Sequence, residues 1–187
     1  MAKKNKRKII FTVDVEPDWG WRTLGTQGID EGLPKILQLF DDYNVKGIFF
    51  FSPNIGNAVI QASKGFDVTK HKIGEHIKGK HGCSGIVYGT CGWQKSVYIS
   101  NYKYARGHKF EKFDGWKKYI PYSSPENHTS LLKHMWVGQP VRDIIYLHPF
   151  DIVKPKTKAP NLFCKLWYSQ PERAWKTLEK LVRRYNG

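Results

Sequence analysis

Residues 9–53 have the pattern of a strand, a helix and a second strand, and this order limits the fold more than any other feature of the chain. Alternate residues of the first segment form two sets, Ile9, Phe11, Val13 and Val15 against Ile10, Thr12, Asp14 and Glu16, as on the two faces of a strand. Apolar residues then follow one helix face at Leu33, Ile36, Leu37 and Phe40. The apolar run GIFFFSP completes a βαβ unit, whose strands lie parallel with a right-handed crossover. We therefore predict an α/β fold.

Later segments give fewer elements. NAVIQASKGFDV at 57–68 predicts a second helix, and Ile144 to Leu147 predicts a buried strand that Pro149 stops. A final helix is predicted from a capping box of Ser169 and Glu172. Its apolar stripe consists of Trp175, Leu178, Leu181, Val182 and Tyr185. Residues 82–140 are aromatic, basic and glycine-rich, and their pattern assigns no element.

Length and charge bound the class of protein. A chain of 187 residues with 40% hydrophobic residues suits one domain, which we place at 9–187 behind a flexible basic tip at 1–8. Its 31 Lys and Arg against 16 Asp and Glu give a formal charge of +15. Such a charge favours anionic partners such as nucleic acid, anionic lipid or acidic glycans.

The basic tip precedes an apolar run of only five residues, IIFTV, which is too short for a secretory signal. No stretch approaches the roughly 20 apolar residues of a membrane span, and we expect a cytoplasmic protein. The three cysteines, Cys83, Cys91 and Cys164, form no CxxC pair and are expected to be free thiols. The alternative is a bridge between Cys83 and Cys91 in an oxidising compartment.

Acidic and histidine side chains follow the predicted strands. Asp14 and Glu16 end the first strand and His148 follows a late one, and the carboxyl ends of parallel strands meet at one edge of a sheet. His76 and His81 are candidates to join them. One carboxylate with two imidazoles is a first shell for Zn²⁺ or a similar divalent ion, with a position left open for water.

Four segments of the chain, in this order, resemble the NodB-like polysaccharide deacetylases, carbohydrate esterase family 4. FTVDVEPDW is similar to the aspartate motif of that family, VKGIFFFSP to its TFF strand, HKIGEHIKGKH to its histidine motif and IIYLHPFDI to its Leu-His motif. The resemblance implies a single-domain, deformed (β/α) barrel. It also implies a metal-dependent hydrolase that removes N-acetyl groups from an amino sugar, an oligosaccharide or a polysaccharide.

The same resemblance implies a role for individual residues. Asp14 matches the general base and His148 the general acid, while Glu16, His76 and His81 match the ligands of one divalent ion, Zn²⁺ first and Co²⁺ or Ni²⁺ next. The arginine motif that orients the base is matched by Arg106. The Asp and Trp motif that tunes the acid is matched by Asp114 and Trp116. Candidates to stack on sugar faces are Trp19, Trp21 and Trp93.

The chain departs from the family in two places. The family's histidines are usually four residues apart, whereas His76 and His81 are five apart, which on an α-helix turns the second ring about 100° further. A π-bulge or a loop at Gly79 would restore convergence. The acids are separated by Val15 instead of adjacent, which keeps both on one strand face, and Asp18 is a rival to Glu16 as ligand.

Two other functions compete with the deacetylase. One is a catalytically silent NodB-like domain that binds glycan through its tryptophans. The other is a basic nucleic-acid-binding protein, for which the sequence offers no RNP, zinc-finger or helix-turn-helix signature. For the enzyme we expect an N-acetylated sugar, and the positive charge suits a phosphorylated, lipid-linked or nucleotide-linked form.

Overall fold

The computed structural model describes residues 9–21, 23, 25–51, 70–77, 87–90, 104–106, 128–137 and 144–186. The predicted basic tip at 1–8 and the predicted helix at 57–68 lie outside these residues. None of the helices within them is long and apolar enough to cross a membrane.

The strands of the described residues are short. They are β1 (Ile10–Val15), β2 (Ile48–Phe51), β3 (Lys72–Ile77), β4 (Val87–Thr90), β5 (Tyr104–Arg106), β6 (His128–Ser130) and β7 (Ile144–Leu147). The helices are α1 (Asp18–Trp21), α2 (Leu33–Asp42), α3 (Leu131–Val137), α4 (Leu162–Trp167) and α5 (Pro171–Asn186). A π-helical turn, Gly28–Gly32, leads into α2, and a 3₁₀ turn, Pro149–Asp151, follows β7.

The seven described strands form one sheet in the order β5-β4-β3-β2-β1-β7-β6. Each pairing in it is parallel. The predicted pairing of the first two strands is confirmed, with Val13 level with Phe49, and the predicted strand at 144–147 lies on the other side of β1. The carboxyl ends of β1, β2 and β7 therefore share one edge.

The main core lies between one face of this sheet and the helices α2, α3 and α5. Phe11, Val13 and Val15 of β1 are fully buried there, together with Ile36 and Phe40 of α2, as the helical spacing predicts. Leu178 and Val182 of α5 complete the stripe predicted for the last helix. The strands of a parallel sheet are buried on both faces, and these helices cover one face of this sheet.

The opposite face of β1 is buried as well. Thr12, Asp14 and Glu16 are each 1% exposed, and Ile10 packs beside Ile48 and Phe50 in a second, smaller cluster. The Thr12 hydroxyl donates to the Ile145 carbonyl at 3.1 Å, which ties β1 to β7 on this side. The face predicted to carry the chemistry is therefore largely withdrawn from water.

One local prediction is wrong. The Ser169 hydroxyl donates to the carbonyl of Leu166 at 2.7 Å instead of capping α5, and the Gln170 carbonyl accepts from Ala174 N–H in the first turn of that helix. His76 lies in strand β3, so the rotation calculated for two histidines on a helix does not apply to it.

Candidate active site

Asp14, Glu16 and His148 meet at the carboxyl ends of β1 and β7. Val13 pairs with Leu147, so the next residues, Asp14 and His148, are level in adjacent strands. Each strand ends two residues before a proline, Pro17 or Pro149, which has no N–H to continue the ladder. The sequence thus stops both strands where it has placed an ionisable side chain.

The distances within this cluster are those of an ion-paired group. His148 Nε2 lies 3.3 Å from Glu16 Oε1 and 4.0 Å from Asp14 Oδ2. The two carboxylates are almost fully buried, whereas the His148 side chain remains 13% exposed. Buried carboxylates need positive or hydrogen-bonding partners, and His148 is one positive partner for both.

A third carboxylate, on Asp151, approaches His148 from the 3₁₀ turn. The His148 backbone N–H donates to Asp151 Oδ2 at 2.8 Å, and the other oxygen, Oδ1, lies 3.4 Å from His148 Nδ1. Both Nδ1 and Oδ1 are buried, so water does not screen the attraction between them.

Burial alone would lower the pKa of His148. The charge on Asp151 and its side-chain contact with the ring, followed by the charges on Glu16 and Asp14, outweigh burial and raise the pKa to about 9. The imidazole is consequently charged at neutral pH. A histidine held in this state has a proton to donate.

Aromatic rings fix the orientation of the imidazole. The Phe150 ring stacks on it with centroids 4.7 Å apart and planes inclined by 16°, and Tyr146 meets it edge-on at 6.3 Å. Tyr168 packs edge-on against Phe150 at 5.1 Å, and burial, with the nearby charges of Asp151 and Glu16, raises the pKa of its hydroxyl. Tyr168 is therefore a neutral wall of the site.

Asp18, the rival metal ligand, has a different role. Its carboxylate is fully buried and accepts from the N–H groups of Gln27 at 3.1 Å and Gly28 at 2.8 Å. Burial raises the pKa of Asp18, and these two hydrogen bonds partly oppose the change. Both donors lie at the start of the helical segment that becomes α2, where N–H groups otherwise lack partners. Asp18 thus caps that segment.

The structure does not support Trp19 as a sugar-stacking residue. Its side chain is 6% exposed, its Nε1–H donates to Thr157 Oγ1 at 2.9 Å, and its ring meets Tyr168 edge-on at 5.6 Å. The positive φ of 62° at Trp19 turns the chain directly after Pro17. Trp21 is the last residue of α1, and its side chain is outside the described part of the structure, as is the whole of Trp93.

The remaining predicted residues are located only by their strands. In the sheet register, Val15 is level with Phe51 and Phe51 with Glu75. Glu16 and His76, one position further along β1 and β3, are therefore level with each other. Their strands are two apart in the sheet, a separation of about 10 Å. Arg106 is level with His76 through Gly89. Because β5 is four strands from β1, about 19 Å along an open sheet, Arg106 is not brought to Asp14 there. His81 lies outside the described residues.

The ligands predicted for a metal are only partly described. Among the described side chains, no three from His, Cys, Asp and Glu form a group that could hold an ion. Glu16 is the one predicted ligand whose side chain is described, and His148 Nε2 faces it. The described side chains therefore include one of the three predicted ligands.

Sequence reasoning missed Asp151, Phe150 and Tyr168. The signal for Asp151 is an acid three residues after a histidine with proline between them, since such a proline starts a tight turn that returns the acid to the histidine. Comparison of the chain with models of known families, with curated proteins and with solved structures found no match.

Proposed function

We propose that this chain is a hydrolase that removes the acetyl group from an N-acetylated amino sugar, with Asp14 as general base and His148 as general acid. The observation that carries the proposal is the group of buried carboxylates around a charged imidazole at adjacent strand ends. It supplies an acid and a base within one small space, as amide hydrolysis requires.

A deformed (β/α) barrel is the fold we propose for the whole domain. In the order β5-β4-β3-β2-β1-β7-β6, each strand lies on the same side of the strand that precedes it in the chain. The exception is β6, which lies at the opposite edge of the sheet from β5. Right-handed crossovers then put all connecting helices on one face, and the step from β5 to β6 runs between the two edges. This is the order of a barrel opened between β5 and β6. Closure would turn the face of Asp14 and Glu16 inward and carry Arg106 towards it.

The proposed reaction uses the charge state of the group. Asp14 accepts a proton from a water molecule as the oxygen of that water attacks the acetamide carbonyl carbon. His148, whose pKa is about 9, then gives its proton to the amine nitrogen as the carbon–nitrogen bond breaks. Acetate and a free amine leave. Asp151 keeps the imidazole charged before the transfer, and its contact with Nδ1 directs Nε2 towards Asp14 and Glu16.

Glu16, His76 and His81 are the ligands that we propose for a divalent ion, on the strength of the sequence resemblance and of the level positions of Glu16 and His76. When bound, such an ion polarises the carbonyl and lowers the pKa of water. The formal charge of +15 favours an anionic form of the sugar, such as one linked to lipid phosphate or to a nucleotide.

The test combines metal content with acetate release. Elemental analysis of the native chain should find close to one divalent ion, which Glu16→Gln and His81→Ala lose and the exposed control Glu172→Gln keeps. With N-acetylglucosamine oligomers as the probe, Asp14→Asn should release acetate about 10² to 10⁴ times more slowly. A native chain that stays metal-free after loading, or an Asp14→Asn variant of native activity, would overturn the proposal.

A further inference from the structure

The segment after the 3₁₀ turn presents three lysines and then three apolar side chains to solvent. Leu162 is 68% exposed, Leu166 54% and Phe163 53%, and the lysines precede them in the chain. We call this set the lysine–leucine surface; it consists of Lys154, Lys156, Lys158, Leu162, Phe163 and Leu166.

Helix geometry explains why the apolar residues share one side. At 100° per residue, Leu162, Phe163 and Leu166 of α4 span an arc of about 100°, while Cys164, which is 3% exposed, points away from it into the protein. Asn161 caps the helix by accepting from Cys164 N–H at 2.8 Å. The apolar arc is thus held outward by a capped helix whose inner side is anchored.

Charge on this surface has a single sign. The stretch from 152 to 171 contains four lysines and no acid. The side chains of Lys154, Lys156 and Lys158 are exposed. Lys156 Nζ lies 3.6 Å from Glu31, but that lysine is 83% exposed, and a pair so open to water is weak. The lysines therefore keep most of their attraction for an anionic surface.

The segment is held at both ends, and one of them reaches the candidate active site. Thr157 accepts from Trp19 Nε1–H and Lys156 N–H donates to the Gln27 side chain at 2.6 Å. Beyond α4, Tyr168 packs on Phe150, the ring stacked on His148. The lysine–leucine surface thus has a fixed position next to the site.

We propose that the lysine–leucine surface docks onto the head-group region of an anionic lipid bilayer. The exposed leucine and phenylalanine side chains suit the acyl chains just below the head groups. The lysines suit the negatively charged phosphates of the head groups. A second copy of the chain fits less well, because a two-fold contact would set lysines against lysines. Nucleic acid also fits less well, because leucine cannot stack on bases as aromatic rings do.

The test is flotation of the full chain with vesicles of phosphatidylcholine alone and of phosphatidylcholine mixed with phosphatidylglycerol. The native chain should float with the mixed vesicles only. Lys154→Gln with Lys158→Gln should weaken binding about 30-fold at low salt, and Leu162→Gln with Leu166→Gln at least about tenfold. The matched control, Lys176→Gln with Lys180→Gln on exposed positions of α5, should bind as the native chain does.

Each contrary outcome overturns the proposal. Equal losses in the α5 control would show attraction by the net charge alone. Unchanged binding of the double leucine variant, with an unchanged melting temperature, would show that α4 does not enter the bilayer. Failure to float, with self-association in sedimentation that the leucine changes abolish, would show an interface between copies of the chain.

Discussion

Replacing Asp151 by asparagine should lower the pKa of His148. Asparagine keeps an oxygen for the His148 backbone N–H, which Asp151 now accepts at 2.8 Å, so the turn is preserved while the charge is removed. The carboxylate 3.4 Å from Nδ1 is the largest of the influences that raise this pKa to about 9. An opposite charge at such a distance is worth about 1 to 3 pKa units.

The magnitude follows from the three carboxylates together. From 6.5 to about 9, at about 1.4 kcal/mol per pKa unit, the charged imidazole is favoured by about 3 kcal/mol. If Asp151 supplies the largest share, the variant should titrate about 1 to 2 pKa units lower and lose about 1 to 3 kcal/mol of unfolding free energy at pH 6. Glu16 and Asp14 keep the rest.

The assay is an NMR titration of the histidine ring protons, with the His148 signal assigned by its absence in His148→Gln. Asp41→Asn is the matched control, because Asp41 Oδ1 also lies 3.4 Å from an imidazole, that of His71, away from the site. It should leave the His148 titration unchanged. An unchanged pKa of His148 in Asp151→Asn would refute the electrostatic account, and with it the reason for a charged acid at neutral pH.

Three further outcomes are expected. Because the folded pKa of His148 is raised, its stabilisation is complete below pH 6.5 and is lost as pH rises to about 9; denaturant titrations across that window should show a loss of about 3 kcal/mol, which His148→Gln lacks. Asp18→Ala should cost about 1 to 3 kcal/mol by leaving two buried N–H groups unpaired, against less than about 0.5 for the exposed Asp42→Ala in the same assay. Gly28→Ala would set a Cβ 2.7 Å from the Phe150 backbone nitrogen and should lower the melting temperature, at a cost of about 1 to 3 kcal/mol.

The sequence predicts β1, α2 and β2 because their patterns are local. A six-residue strand and a ten-residue helix are long enough to show their periods. The same reasoning predicts that Asp14 and His148 meet, since it needs only two parallel strands and their ends. Strands β5 and β6 have three residues each, which is too short for alternation to be visible in the sequence.

Errors of prediction arise where distant contacts decide. Trp19 follows two acids and a proline, a pattern that suits an exposed aromatic, but its ring is buried by residues more than a hundred positions later, Thr157 and Tyr168. Ser169 has the right spacing for a capping box and instead donates to Leu166. Asp151 acts through a turn that only the folded chain closes. Each contact depends on tertiary geometry that no local period encodes.

The three acids at the end of β1, Asp14, Glu16 and Asp18, are stabilised in two different ways. The Asp18 carboxylate accepts hydrogen bonds from two backbone N–H groups. These amides are fixed by the fold and do not act as an acid or a base. Glu16 and Asp14 face an imidazole that is itself held by Asp151 and remains partly open to solvent. When that imidazole loses its proton, the positive charge beside the carboxylates is lost with it. His148 is thus both a partner of the buried carboxylates and the acid of the proposed reaction, so substitutions there should alter stability and activity together, whereas those at Asp18 should act on stability first.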